Sequence, residues 1–383
     1  MSKFDKVNYK NNIVNFTSSL MKYYGQTSKY PTHALVDFIL SKKYKHVAVV
    51  LLDGLGMKII DDNMNNGSIL KTHQIIKMNS VFPPTTVAAT TAYQTGKAPI
   101  ESGWLGWHLY LDDTHPSTVL FMNKAFYSEE PIEDFKVQDV IPNTPFYTKL
   151  RRAKSYEIYP SFKENGVETF KDGIDRLIEI TSKDEANFTY FYWDQPDGLM
   201  HQFGTTSQVV KVTLMDIEAE IERLKENLPD DTCIFITADH GQVDVKPIYM
   251  SEYPDIVDTF EKPMSGEGRF TQFYINPSLK DDFVAKFNEH FKDDFDLYTK
   301  EEFIESKISG LFEPHPSIEY SLGNFIAIAK TNYFFEHSSK HEPFKGHHAG
   351  CTAAEMEIPL ILLKRKDEHP EEEVTEEKKV ATK

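Results

Sequence analysis

Asp53, Thr86, Asp197, His201, Asp239, His240 and His348 are residues whose types could do chemistry together. Aspartate and histidine without cysteine suit zinc, manganese or iron better than calcium or magnesium alone, because imidazole prefers borderline metals. Seven donors exceed the needs of one catalytic zinc, which keeps about three protein ligands and an open position. Two divalent ions about 3.5–4 Å apart would divide the set, as in sites that hydrolyse phosphate esters. Zinc is the expected ion, with manganese as the alternative. A hydroxyl among the donors adds a nucleophile, which needs a base, a metal or a lowered pKa to become reactive.

These residues need elements that bring them to one place. Asp53 follows the apolar run 47–52, Asp239 and His240 follow 234–238, and Asp197 and His201 stand four apart, one face of a helix if helical. Thr86 lies in Phe82-Pro83-Pro84-Thr85-Thr86-Val87, and His348 in Lys345-Gly346-His347-His348-Ala349-Gly350. Strand-like runs rich in β-branched and aromatic residues occupy 47–52, 74–81, 188–193, 233–237, 325–329 and 358–363. Between them, 207–228 places Val210, Leu214, Ile217, Ile221 and Leu224 three or four apart, the stripe of an amphipathic helix. Alternation of this kind predicts an α/β fold with a mostly parallel sheet and helices on both faces. The carboxyl ends of such strands form one rim, where ligands bind.

From 243 to 341 the pattern changes to Pro-rich breaks, a strand-like 269–275, a helical 281–291 and a polar 301–313. This reads as an α+β insertion that caps the site. The expected organisation is a catalytic core of 1–242 and 342–365, the insertion 243–341, and a solvated Glu- and Lys-rich tail over 366–383.

Composition narrows the function classes. The 383 residues hold 59 acidic against 42 basic side chains, a net charge of −17. That balance disfavours a nucleic-acid polymer as partner, since such binding rests on clustered Lys and Arg. A small phosphorylated substrate remains allowed, because bound cations supply local positive charge. No run approaches the ~18 apolar residues of a membrane span, and the first residues lack an apolar signal region, so no membrane partner and a cytoplasmic location are expected. The two cysteines, Cys233 and Cys351, suggest neither a disulfide framework nor a thiolate site. Nothing in the sequence addresses oligomeric state.

Five motifs in fixed order resemble the type I phosphodiesterase/nucleotide pyrophosphatase family of the alkaline phosphatase superfamily. They are Leu51-Leu52-Asp53-Gly54-Leu55-Gly56; Ser80-Val81-Phe82-Pro83-Pro84-Thr85-Thr86 with Thr95-Gly96; Pro196-Asp197-Gly198-Leu199-Met200-His201; Thr237-Ala238-Asp239-His240-Gly241; and Gly346-His347-His348-Ala349-Gly350 followed by Glu355-Met356-Glu357-Ile358-Pro359. The resemblance implies an alkaline-phosphatase-like core. It implies that Asp53, Thr86, Asp239 and His240 hold one metal, and Asp197, His201 and His348 the other. It also resolves two neighbouring pairs. Counting back nine residues from Thr95 selects Thr86 over Thr85 as nucleophile, and the alignment of Gly-x-His-small-Gly selects His348 over His347. The implied reaction is hydrolysis of phosphodiester or pyrophosphate bonds of small, nucleotide-like substrates through a phosphothreonine intermediate.

One position departs from that pattern. Nucleotide pyrophosphatases carry an asparagine eleven residues after the Thr-Gly glycine, and here that position is Trp107. The phosphoryl oxygen would then be met by Asn123 or by the Thr86 backbone N–H, with Trp104 and Trp107 as candidates to stack a planar group. Aromatic residues more often pack than bind. His108, His115, His341 and His347 read as surface or supporting histidines, and Arg269 and Lys345 as solvated charges with phosphate binding as the alternative. Rival functions within the superfamily are phosphomonoesterase, phosphonate hydrolase and phosphomutase, and a non-catalytic metal-binding member stands further off. A sulfatase is disfavoured, because Thr86-Val87-Ala88-Ala89 lacks the Cys/Ser-x-Pro-x-Arg sequence.

Overall fold

In a computed structural model, which describes residues 7–337 and 342–365, a six-stranded sheet forms the centre of the molecule. Its strand order is Gln74–Asn79, Glu357–Leu363, Thr232–Thr237, His46–Leu52, Asn187–Trp193, Lys154–Ile158. His46–Leu52 pairs in parallel with both of its neighbours, and Lys154–Ile158 with Asn187–Trp193, whereas Glu357–Leu363 runs antiparallel to both of its own. Every residue of His46–Leu52, Asn187–Trp193 and Thr232–Thr237 is buried. Continuous burial means that both faces are covered, the situation expected of parallel strands.

The predicted amphipathic helix is Gln208–Glu226, with Val210, Leu214, Ile217, Ile221 and Leu224 as its buried stripe. Its boundaries lie within two residues of the expected ones, in line with fraying at helix ends. Among the described residues no helix is long and apolar enough to cross a membrane. Cys233 and Cys351 are both buried, and no disulfide joins them.

A second, seven-stranded antiparallel sheet stands apart from the first. Its order is Phe295–Thr299, Phe325–Ala329, Phe270–Ile275, Phe260–Glu267, His108–Leu109, Thr118–Val119, Lys124–Ala125. Phe325–Ala329 therefore belongs here and not to the parallel sheet. The last three short strands come from the segment that follows Thr86, so this sheet joins the 243–341 region to 108–125 through the pairing of Gly266 with His108. The helix Lys280–Phe291 packs Phe283, Phe287 and Phe291 into an aromatic core with Phe273, Phe295 and Phe335.

The two sheets are fastened by a fully buried ion pair. Arg269, in the hairpin between Phe260–Glu267 and Phe270–Ile275, reaches Glu355 through Nε to Oε1 at 2.7 Å and through Nη2 to Oε2 at 2.9 Å. The expectation of a solvated Arg269 was wrong: its guanidinium sits in the seam, a geometry in which two parallel N–H donors match a carboxylate. Lys345 is exposed.

Candidate active site at the rim of the central sheet

Asp53 is the first residue beyond His46–Leu52, and its N–H donates to the Trp193 carbonyl of the neighbouring strand at 2.9 Å. The Asp53 carbonyl in turn accepts from Asp197 N–H at 3.1 Å, which fixes the start of the helix Asp197–Phe203 beside it. The turn between them needs glycine. Gly54 has φ +74°, and a Cβ there would come within 2.8 Å of the Met200 side chain and 3.0 Å of Asp197 Cβ. Gly54 N–H donates to Asp239 Oδ1 at 3.0 Å, so the ends of three adjacent strands are tied together.

Thr86 opens the buried helix Thr86–Thr95, whose Ala88, Ala89 and Ala92 favour the conformation. Its Oγ1 lies 3.1 Å from His240 Nε2 and 3.3 Å from Asp53 Oδ2. His240 Nδ1 donates to the Gly241 carbonyl at 3.1 Å and His201 Nδ1 to the Gly346 carbonyl at 2.8 Å. In both rings this leaves Nε2 as the atom facing the cluster, the way ligand histidines are commonly oriented by a second partner. His201 Nε2 is 3.2 Å from Asp197 Oδ2. The His348 ring stacks on His240 with centroids 3.9 Å apart and stands 5.2 Å from His201. Tyr192 donates its hydroxyl to Asp53 Oδ2, and Gln242 its amide to Asp197.

All seven expected residues therefore converge. Two groups can each offer donor atoms within 4.8 Å of one another: Asp53, Asp239 and His240; and Asp197, His240 and His348. His240 faces both. Thr86 and His201 border these groups, and the adjacent Thr85 and His347 sit one place away.

Electrostatics of the cluster favour a cation. Burial, then Asp239 and Asp197, push the Asp53 carboxyl well above its usual range. Burial likewise raises Asp239, only partly offset by His240. Asp197 differs: burial acts upward, but His201 overcomes it and the carboxyl is held at about 2. Burial, then His240 and His201, drive His348 toward its neutral form, the state that ligates metals. His348 Nδ1 and Asp239 Oδ2 are buried with no hydrogen-bond partner among the described residues. Buried polar atoms are rarely left so. The donor set, its spacing and these two orphaned atoms fit divalent metal ions.

A chamber of about 510 Å³ opens in front of Thr86, Asp197, His201 and His348. Trp107, His108, Phe126, Tyr127 and Phe344 supply aromatic walls, and Glu267 a carboxyl. His108 stacks flat on Phe126 at 3.5 Å and is buried, and His347 is buried as well, so neither is a surface histidine. His115 is half-buried beside Asp112, and His341 lies outside the described residues.

Two expected substrate contacts are spoken for elsewhere. Asn123 donates to the Ile132 and Phe135 carbonyls and accepts from Val137 N–H, so all its polar atoms hold a loop. Trp104 is 1% exposed, and its indole N–H donates to the Ile141 carbonyl. Only Trp107 of the three lines the chamber. Glu267, which sequence reasoning missed, receives the Thr85 hydroxyl at 2.6 Å; burial lifts its carboxyl to about 7.

An alkaline-phosphatase-like α/β core with an Asp/His rim defines the class of this molecule. Residues 47–351 match the family of type I phosphodiesterases / nucleotide pyrophosphatases, and the chain belongs to that family. Human ectonucleotide pyrophosphatase/phosphodiesterase family member 5 is 27% identical over 124 residues, which cover 28% of this chain and 26% of the relative. The match thus spans about a quarter of the curated relative's length. Murine ectonucleotide pyrophosphatase/phosphodiesterase 5, solved as an inactive variant in complex with AMP, superposes with a TM-score of 0.63 at 17% identity, covering 82% of this chain and 87% of that one. The human protein's structure gives 0.63 at 18% identity, covering 83% and 89%.

Proposed function

We propose that the chain is a two-metal hydrolase that cleaves phosphodiester or pyrophosphate bonds of small, nucleotide-like substrates, with Thr86 as nucleophile. The observation that carries this reading is the position of Thr86 Oγ1 at a helix N-terminus, within 3.1–3.3 Å of His240 and Asp53. Asp53, Thr86, Asp239 and His240 would hold one ion, and Asp197, His201 and His348 the other, zinc being the choice that best suits this donor set. When bound, the ions supply positive charge that favours the Thr86 alkoxide and offsets charge on the phosphoryl group.

The chain's own residues do the rest. Thr86 Oγ1, whose hydroxyl points at Asp53, attacks phosphorus in line, and the bond to the leaving oxygen breaks. The first-turn N–H groups of Thr86–Thr95 face the phosphoryl oxygens, where the helix dipole favours negative charge. Water then attacks the phosphothreonine from the opposite side and restores Thr86, with overall retention at phosphorus. Trp107, Phe126 and Tyr127 give the chamber planar faces for the remainder of the substrate. The AMP complex of the murine relative supports a nucleotide-like ligand.

Initial rates on bis-p-nitrophenyl phosphate, p-nitrophenyl phosphate and p-nitrophenyl esters of nucleotides, each with Zn and with Mn, test this reading. The expected result is a higher kcat/KM on diesters, the ratio that measures discrimination. A monoester preference of tenfold, about 1.4 kcal/mol, would instead assign the chain to the phosphomonoesterase alternative.

A further inference from the structure

Thr85 stands at the N-cap of Thr86–Thr95 with extended backbone angles, φ −139° and ψ 149°. A threonine there ordinarily turns its side-chain oxygen back onto an N–H of the first turn. This one makes no such cap, and its hydroxyl donates outward to Glu267 Oε1 at 2.6 Å. Ala89 is the first residue of the helix whose N–H finds a backbone acceptor, the Thr85 carbonyl at 2.9 Å. Among the described residues, no backbone carbonyl accepts from the N–H groups of Thr86, Val87 or Ala88, and the Thr85 side chain does not cap them. The helix end beside the nucleophile is thus kept uncapped, on the wall of the chamber.

Glu267 is well placed to hold it that way. It ends the strand Phe260–Glu267, whose Gly266 pairs with His108, the residue after Trp107. Trp107 is also the position where the family pattern would supply an amide to the phosphoryl oxygen. We propose that Glu267 is a positioning residue that draws the Thr85 hydroxyl away from the helix end, so that the N–H groups of the first turn take the phosphoryl oxygen that no asparagine side chain is there to meet. The inference rests on Thr86 being the nucleophile. It assigns to Glu267 no contact with the substrate: its action passes through Thr85.

The test is a rescue. In Glu267→Ala the freed Thr85 hydroxyl turns to cap the helix, and kcat on the preferred diester should fall on the order of 10²-fold, the scale of losing one donor to a developing oxyanion. Glu267→Ala combined with Thr85→Val, which has no hydroxyl to cap with, should regain at least about tenfold of that loss. Glu267→Gln, which still accepts from Thr85, should recover most of it. Orthophosphate affinity by calorimetry should fall and return in the same order, a readout that does not need turnover. The inference is overturned if Glu267→Ala matches the parent in both readouts, or if the double variant is no better than Glu267→Ala. Glu267→Leu, which keeps the bulk, provides the same comparison if the alanine variant does not fold. A parent that binds orthophosphate but hydrolyses no diester would defeat the proposed function, while the binding series would still decide the role of Glu267.

Discussion

The rim of the central sheet and the seam between the two sheets both bury carboxylates, and they treat them in opposite ways. In the seam, burial acts against the Glu355 carboxylate, but Arg269 outweighs it, and the Gly350 and Thr352 groups add further hydrogen bonds; the carboxyl is held below its usual range. At the rim, Asp53 and Asp239 share a buried space with each other and with Asp197, and both are pushed upward. The same chemical group is firmly charged in one place and drawn toward protonation in the other. What differs is a fixed cation. The seam completes its own charge balance, whereas the rim leaves that balance to a ligand, and this is how a structural ion pair is told from a candidate active site when both are buried.

The largest test removes chemistry from the rim without touching the seam. Thr86→Ala should lower kcat on the order of 10³-fold or more while the melting temperature stays close to that of the parent, as loss of a catalytic nucleophile commonly does. Thr86→Ser should keep measurable turnover. An active Thr86→Ala enzyme would refute the covalent route.

Next comes a change confined to the seam. Arg269→Met leaves Glu355 buried without its partner and should destabilise the fold by about 3–5 kcal/mol, whereas Arg269→Met with Glu355→Leu should lose less, because no lone charge remains. Denaturant melts of the two variants decide it. If the double variant is the less stable, the pair contributes more than mutual charge compensation.

The smallest effect reads the rim through pH. A carboxyl raised in the folded state binds protons there more tightly than in the unfolded chain, so its contribution to stability is present at low pH. That contribution is lost as pH rises from about 4, the unfolded carboxylate value, toward the raised one. Chelator-treated protein should therefore melt lower as pH rises through this window. Asp197 works the other way, its contribution being lost as pH falls toward about 2. A divalent ion at a fixed concentration, a hundredfold its Kd near neutral pH, should add about 2.7 kcal/mol there and less at lower pH, where protons compete with it for the carboxylates. Melting curves with and without zinc that coincide at every pH would remove the distinction between rim and seam.

Much of the rim was legible in the sequence because its Asp and His residues follow apolar strands or stand at a fixed helical spacing, so local pattern and place at the rim coincide at Asp53, Asp197, His201, Asp239 and His240. The chamber wall was not. The role of Glu267 depends on Gly266 pairing with His108, a contact that no local periodicity encodes. Asn123 was misjudged because it adopts φ 50° and its side chain serves three backbone groups of its own loop. Phe325–Ala329 has the apolar run of a buried strand, but such a run does not say which sheet it joins. Lys154–Ile158 escaped notice because an edge strand, here only partly buried, shows a mixed pattern.

The seam also limits how this chain can be dismantled. Glu355 accepts from Gly350 N–H at 2.7 Å, two residues from His348, so the loop carrying that histidine is pinned by a carboxylate whose own counter-charge comes from the second sheet. Excising 243–341 in search of a minimal enzyme would strand a buried anion against the loop that bears His348. A trimmed version would need Glu355 replaced by a neutral side chain that still accepts from Gly350, which makes this single position the gatekeeper for any attempt to rebuild the molecule from one sheet.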